Sequence, residues 1–362
     1  MTPLEEEIRR IIAFDGPMPI SEYMRTCLGH PKYGYYVARD PLGPLGDFTT
    51  APEVSQMFGE LLGAWAAAVW QQMGAPARVN LVELGPGRGT LMADALRAAK
   101  ALPAFRAALA VHLVEMSDVL AAKQRETLPP SGVPVTWHRD VRAIPEGPAI
   151  VLANEFFDAL PIHHAVRSEQ GWHERVVALG KDDRLAFAVN PVPAMNFETA
   201  VPGAIREAPV GTIYEWRSAA TMLEIIQRLK NHGGAALVID YGYTETQVGE
   251  TLQGVRRHSY ADPLADPGEV DLTAHVDFGA LAHAGMASGV NVNGPLTQGE
   301  FLRRLGIAQR ATRLKADATP QQAADIDSAL ARLTAPDQMG ELFKVMAFAD
   351  AKLGALPGFD AK

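Results

Sequence analysis

The chain has 362 residues, 48% of them hydrophobic, and a formal net charge of −9. That length exceeds one small domain and the apolar share supports a substantial core, so one large α/β domain with additions, or two domains, is expected. The acidic balance argues against nucleic acid as a partner, and the single Cys27 excludes an intramolecular disulfide and a cysteine-based metal cluster.

No apolar run reaches the roughly 18 residues a membrane span requires. The acidic start, Met1-Thr2-Pro3-Leu4-Glu5-Glu6-Glu7, resembles neither a secretory signal nor an Arg-rich transit peptide. It reads as a helix start, with Thr2 as N-cap, Pro3 in the first turn and Glu5 closing a capping box. Leu4, Ile8, Ile11 and Ile12 then share one face. Residues 1–75 read as a helical extension that contributes to the site. It is interrupted by an aromatic loop at Gly29–Tyr36 and a glycine loop at Gly43–Thr50. A long helix is predicted from about Pro52 to Gln72. Its Ala-rich part, Glu60–Gln71, is apolar on most faces, so it is either buried, which is the favoured reading, or an oligomer interface.

Val79–Leu84 is the first strand expected of a parallel, doubly wound sheet. It carries Glu83 near its end and runs into Gly85-Pro86-Gly87-Arg88-Gly89, which opens a helix at Leu91–Leu102. An apolar strand, an acid, a glycine loop and a helix make a nucleotide-type site at the carboxyl end of a strand. Thr90 stands where the dinucleotide fingerprint requires its third glycine, so the spacing is G-x-G-x-G and counts against NAD. This loop resembles the first motif of class I S-adenosylmethionine (SAM) methyltransferases. The resemblance implies that Gly85, Pro86, Gly87 and Gly89 close against the amino-acid part of SAM, and that Glu83 orients the loop and the SAM ammonium group.

The second strand, Ala110–Glu115, precedes a helix at Val119–Leu128. An acid in the position of Glu115 accepts both hydroxyls of an adenosine ribose. Asp140 follows the third strand, Val135–His138. In methyltransferases an acid there often holds the adenine amino group, with the next residue, here Val141, beside the ring; a solvated turn aspartate is the alternative. The fourth strand, Ala149–Ala153, ends in Asn154-Glu155-Phe156-Phe157-Asp158, the catalytic slot of many methyltransferases. Glu155 and Asp158, with Asn154, are the catalytic candidates, because carboxylates grip a guanidinium and concentrate charge on an attacking nitrogen. One of the two acids as a helix N-cap remains open.

Residues 162–209 read as an inserted β-meander, with turns at 169–171 and 181–183 and a Pro-rich end. The core resumes with a helix at Ser218–Asn231, a fifth strand at Ala235–Gly242, a helix at His275–Met286, two more helices within 297–334 and a last strand at Leu342–Phe348. The expected organisation is thus an extension at 1–75, a SAM-binding core at 76–161 and 210–362 with helical insertions at about 243–335, and the insertion at 162–209. The histidines show no metal-binding spacing, so no metal is expected.

Segments beyond the glycine loop carry a closer resemblance. Gly29-His30-Pro31 leading to Gly34-Tyr35-Tyr36, the run Gly46–Gln56, Glu83–Leu91, Asn154–Pro161, Asp240-Tyr241-Gly242-Tyr243 and Asp271–Phe278 together resemble the MidA-like methyltransferases, over about residues 5–350. The mitochondrial members of that family are complex I assembly arginine methyltransferases. The resemblance implies a class I fold with an extra domain and SAM as cofactor, with Asp47 and Phe48 in a loop that closes over it. It also implies a protein substrate, symmetrically dimethylated on arginine, in a large hydrophilic subunit of NADH:ubiquinone oxidoreductase. The absence of a transit peptide points to a bacterial cytoplasmic member, whose target need not be the mitochondrial one. A small-molecule O- or N-methyltransferase, and an assembly chaperone that binds SAM without catalysis, are the competing readings.

Overall fold

The computed structural model describes residues 1–38, 49–128, 132–194, 197, 201–257 and 259–359. The strands in chain order begin with β1 (Met18–Pro19), β2 (Val79–Leu84), β3 (Leu109–Val114), β4 (Val135–His138) and β5 (Ala149–Asn154). Next come β6 (Ile162–Ser168), β7 (Gly171–Leu179), β8 (Leu185–Pro193), β9 (Ile213–Arg217) and β10 (Gly234–Tyr243). The last are β11 (Gln253–Arg256), β12 (Ser259–Ala261), β13 (Asp271–Thr273), β14 (Val276–Asp277), β15 (Asn291–Thr297) and β16 (Phe343–Ala349). The chain forms two compact units. One gathers Met1–Phe48, Asp158–Ser218 and Glu245–His275; the other gathers Thr49–Phe157, Ala219–Thr244 and Val276–Lys362.

The larger unit holds a sheet in the order β4-β3-β2-β5-β10-β16-β15. Strands β2, β3, β4, β5 and β10 run parallel, as the alternation of strand and helix predicts. The sheet is not wholly parallel, however. β16 runs antiparallel between β10 and β15. β15 itself was not foreseen; Gly294 and Pro295 sit on the edge of the sheet at a register shift between Asn293 and Leu296. Strand order reverses where β2 lies between β3 and β5, which opens the ligand crevice at the carboxyl ends of those strands.

The predicted helix at 52–72 divides into Ala51–Val54 and Gln56–Gln72, with Ser55 Oγ capping the second at Met57 N, 3.2 Å away. Most of the Ala-rich stretch is buried, including Leu62, Trp65, Ala66 and Val69, while Ala64 and Gln71 are exposed. Its glycines explain the close packing. A Cβ on Gly59 would lie 2.6 Å from Asp94 Cβ, and one on Gly63 2.6 Å from Ala95 Cα, so this helix crosses Thr90–Ala98 at backbone contact. The same helix packs its apolar face with Leu81, Ile150, Leu237 and Ile239 of the sheet.

In the smaller unit, Thr2 Oγ1 accepts from Glu5 N at 3.1 Å, and Leu4, Ile8 and Ile12 of Pro3–Asp15 are buried as the spacing predicts. The helix Ile20–Gly29 adds Tyr23, Met24 and Cys27 to the same core. The meander is antiparallel, in the order β1-β7-β6-β9 with β8 also on β7. β11, β12 and β13 make a separate three-stranded sheet.

Candidate functional site

The site is built from the ends of β2, β3 and β5. Gly85, Gly87 and Gly89 have φ of +61°, +54° and +83°, so each occupies a conformation that an L side chain resists. Gly85 N donates to Val114 O at 3.0 Å, and Gly89 N to Pro86 O at 2.8 Å. Gly89 then caps Thr90–Ala98. A Cβ on Gly85 would stand 3.0 Å from the Phe156 ring, so the loop and the residues after β5 are fitted to one another.

Register places the acids on one face. Glu83 pairs with Leu113 on β3 and Leu152 on β5, and side chains two residues further along a strand share that face. Glu83, Glu115 and Asn154 therefore point to the same side of the sheet. Glu83 is buried, and among the described residues its Oε2 has no hydrogen-bond partner; the same holds for Asn154 Oδ1. Burial, and next the charge of Glu115, push the Glu83 carboxyl well above the usual range. Two buried acceptors without donors fit a ligand that brings N–H groups, and the ammonium of SAM is such a ligand.

Glu115 Oε1 accepts from Ser117 N at 2.8 Å and Oε2 from Gln124 Nε2 at 3.0 Å. Burial raises its carboxyl, and those donors partly oppose the rise. Gln124 was missed in the sequence. Its signal was a polar residue four positions after Leu120 on the buried stripe of Asp118–Thr127. Asp140 caps the turn at Val141–Ala143 and accepts from Arg142 N at 2.8 Å and Arg142 Nε at 3.0 Å. Those contacts hold its carboxyl down at about 2. Val141 is buried next to it.

After β5 the chain turns at Glu155, whose φ of +50° is unusual for a residue with a Cβ. Glu155 N donates to Ile239 O at 2.9 Å. Glu155 Oε1 accepts from Ala51 N at 3.0 Å and from Asn154 Nδ2 at 3.1 Å. Asp240, fully buried on β10, accepts from Phe157 N at 3.0 Å and so holds this turn from below. Glu53 accepts from Thr90 Oγ1, which secures Ala51–Val54 to the helix that follows the glycine loop.

Asp158 belongs to the other unit, so Glu155 and Asp158 each have their own setting. Asp158 is buried. Its carbonyl accepts from Arg217 Nη2 at 3.2 Å and from Ala274 N at 3.1 Å. Arg217 also donates to the carbonyls of Leu160, Ala274 and His275 at 3.0, 2.9 and 3.1 Å. Tyr36 Oη donates to the buried Asp271 Oδ1 at 2.9 Å, and burial, with the charges of Asp271 and Asp158, pushes that phenol up. Of the aromatic loop, Tyr35 is wholly packed, whereas Tyr36 joins these acids. Arg217 and Asp271 were not singled out in the sequence as site residues. Asp47 and Phe48 lie outside the described residues. Among the described residues no group of three or more His, Cys, Asp or Glu is arranged to hold a metal, and no helix is long and apolar enough to cross a membrane.

A family model for S-adenosyl-L-methionine-dependent methyltransferases matches residues 61–296. The mitochondrial protein named protein arginine methyltransferase NDUFAF7 homolog in Drosophila melanogaster is 37% identical, over 97% of this chain and 86% of its own length. The Homo sapiens protein arginine methyltransferase NDUFAF7 is 38% identical over 96% of this chain and 83% of its own. A crystal structure from Burkholderia thailandensis, bound to S-adenosyl-homocysteine, superposes with a TM-score of 0.85 at 31% identity, covering 98% of this chain and 94% of that one.

Proposed function

The chain belongs to the family of S-adenosyl-L-methionine-dependent methyltransferases, and from that membership we propose that its acceptor is an arginine of a protein partner. SAM is the cofactor and methyl transfer the reaction. Glu83 and Asn154 would hold its ammonium group, the loop Gly85-Pro86-Gly87 with Gly89 its amino-acid part, Glu115 its ribose, and Asp140 with Val141 its adenine. Bound SAM supplies a methyl group on a positively charged sulfur.

The observation that carries the acceptor reading is Glu155, a carboxylate at the end of β5 held at φ +50° and braced by Ala51 N and Asn154. A carboxylate suits a guanidinium as a fork of paired hydrogen bonds. As the N–C bond forms, the attacking nitrogen must lose a proton, and a carboxylate alongside stabilises the charge and receives that proton. Asp158, buried near Tyr36 and Asp271, is the second acid assigned to the acceptor. The likeness to named arginine methyltransferases supports the same acceptor. The partner belongs to this proposal: a large hydrophilic subunit of NADH:ubiquinone oxidoreductase, acted on during assembly, as the MidA-like resemblance implies. So does a bacterial cytoplasmic setting, which the single, fully buried thiol of Cys27 supports.

The test separates cofactor binding from transfer. Glu155→Gln and Asp158→Asn are expected to bind S-adenosyl-homocysteine nearly as the parent does and to slow arginine methylation by about 100-fold or more. The readout is mass spectrometry of the partner subunit after incubation with SAM. Unchanged transfer in both variants would sink the arginine assignment.

A further inference from the structure

We propose that Gln124 is the positioning residue that links the glycine loop to Glu115, and that it thereby makes the site demand a ribose diol in its cofactor. This rests on the reading of Glu115 as the sugar-holding acid and is independent of the acceptor.

Gln124 is fully buried, and its three hydrogen bonds leave no freedom in the amide. The indole N–H of Trp137 is a donor only, so the atom facing it at 2.9 Å must be the amide oxygen. The nitrogen end therefore carries two hydrogens with two acceptors before it: Gly87 O at 2.8 Å and Glu115 Oε2 at 3.0 Å. Trp137 is itself held, with the Arg125 guanidinium 4.6 Å from its ring centre. Glu115 Oε1 meanwhile accepts from Ser117 N at 2.8 Å. Ser117 N and Gln124 Nε2 thus each pin one carboxylate oxygen, with the Met116 backbone N–H also acting on the group, and the carboxylate keeps lone-pair capacity for hydroxyl donors. Two adjacent hydroxyls are the ligand that uses both. Because the same amide holds Gly87, the sugar-binding acid and the loop keep a set separation. Without Gln124, the Glu115 carboxylate loses its side-chain donor and is held only by the backbone N–H groups of Ser117 and Met116, so its plane is less fixed and a single hydroxyl satisfies it nearly as well as a pair.

The experiment is calorimetric titration of the full chain with S-adenosyl-homocysteine and with its 2′-deoxyadenosyl counterpart. The parent is expected to favour the ribose form by about tenfold or more, the range for hydrogen bonds to a charged group. Gln124→Met is expected to weaken the ribose form by about tenfold and to bring the ratio close to one. Loss of stability alone would weaken both ligands together and leave the ratio unmoved. Trp137→Phe keeps the ring but removes the indole donor, so the amide is free to turn over; an intermediate ratio is expected, and this variant carries the test if Gln124→Met does not fold. A parental ratio in the folded variant overturns the proposal. Glu115→Gln distinguishes the cause. If it collapses the ratio while the Gln124 variant does not, only the role of Gln124 falls; if neither changes it, the sugar-holding reading of Glu115 falls as well.

Discussion

Replacing Glu83 by glutamine is expected to stabilise the ligand-free protein and weaken cofactor binding at the same time. The parent buries a carboxylate whose Oε2 has no donor, facing the charge of Glu115. Its carboxyl is therefore held above its ordinary value of 4.5. A group whose folded value is raised binds more protons in the folded state, so its contribution is full below 4.5 and is lost as pH rises through the folded value. Glutamine is neutral throughout and has no such slope. Glu83→Gln should therefore be more stable than the parent at pH ~8, and the difference should shrink as pH falls towards 4.5. Binding changes in the opposite sense. A charge-assisted hydrogen bond to an ammonium is worth about 1.5–3 kcal/mol, which is roughly 10- to 150-fold in the dissociation constant of S-adenosyl-homocysteine. Urea unfolding across this pH range and calorimetric titration read the two effects separately. A variant less stable than the parent at pH ~8, or one that binds the ligand equally well, refutes the reasoning.

Gly85→Ala should cost about 1–2 kcal/mol from its φ of +61° alone, and more because the new methyl meets the Phe156 ring at 3.0 Å; urea midpoints measure it. His112 touches His138 Nε2 at 2.9 Å and Asn80 Oδ1 at 3.2 Å, and burial, then the charges of His138 and Arg228, lower its imidazole from 6.5 to about 4. A lowered folded value means that its contribution is present above 6.5 and is lost as pH falls towards 4, on the order of 3 kcal/mol in all, and His112→Gln should flatten that acid limb of the stability profile. Arg217→Lys keeps the charge but cannot span four carbonyls, so a loss of about 2–4 kcal/mol is expected, with slower methyl transfer and an unchanged affinity for S-adenosyl-homocysteine.

The elements around the glycine loop were legible because their causes are local. The spacing of Gly85, Gly87 and Gly89 encodes three positive φ values, which follow from the missing Cβ and need no partner. The apolar runs of β2, β3, β5 and β10 and the strand-end acids are equally local, and strict alternation of strand with helix implies their parallel order. Direction in β16 was not local, since an apolar strand reads the same whichever way it runs; pairing with β10 and β15 decides it. The split of the two catalytic candidates between units also had no sequence signal, because three residues of separation say nothing about which packed unit each joins. Nor did the partners of the site acids. Gln124 is nine residues from Glu115 and 37 from Gly87, and Arg217 is 57 to 59 residues from the four carbonyls it holds. Composition and spacing determine which residues are able to donate and accept. Only the packed chain decides which donor meets which acceptor, because a hydrogen bond depends on separation in space and not along the sequence.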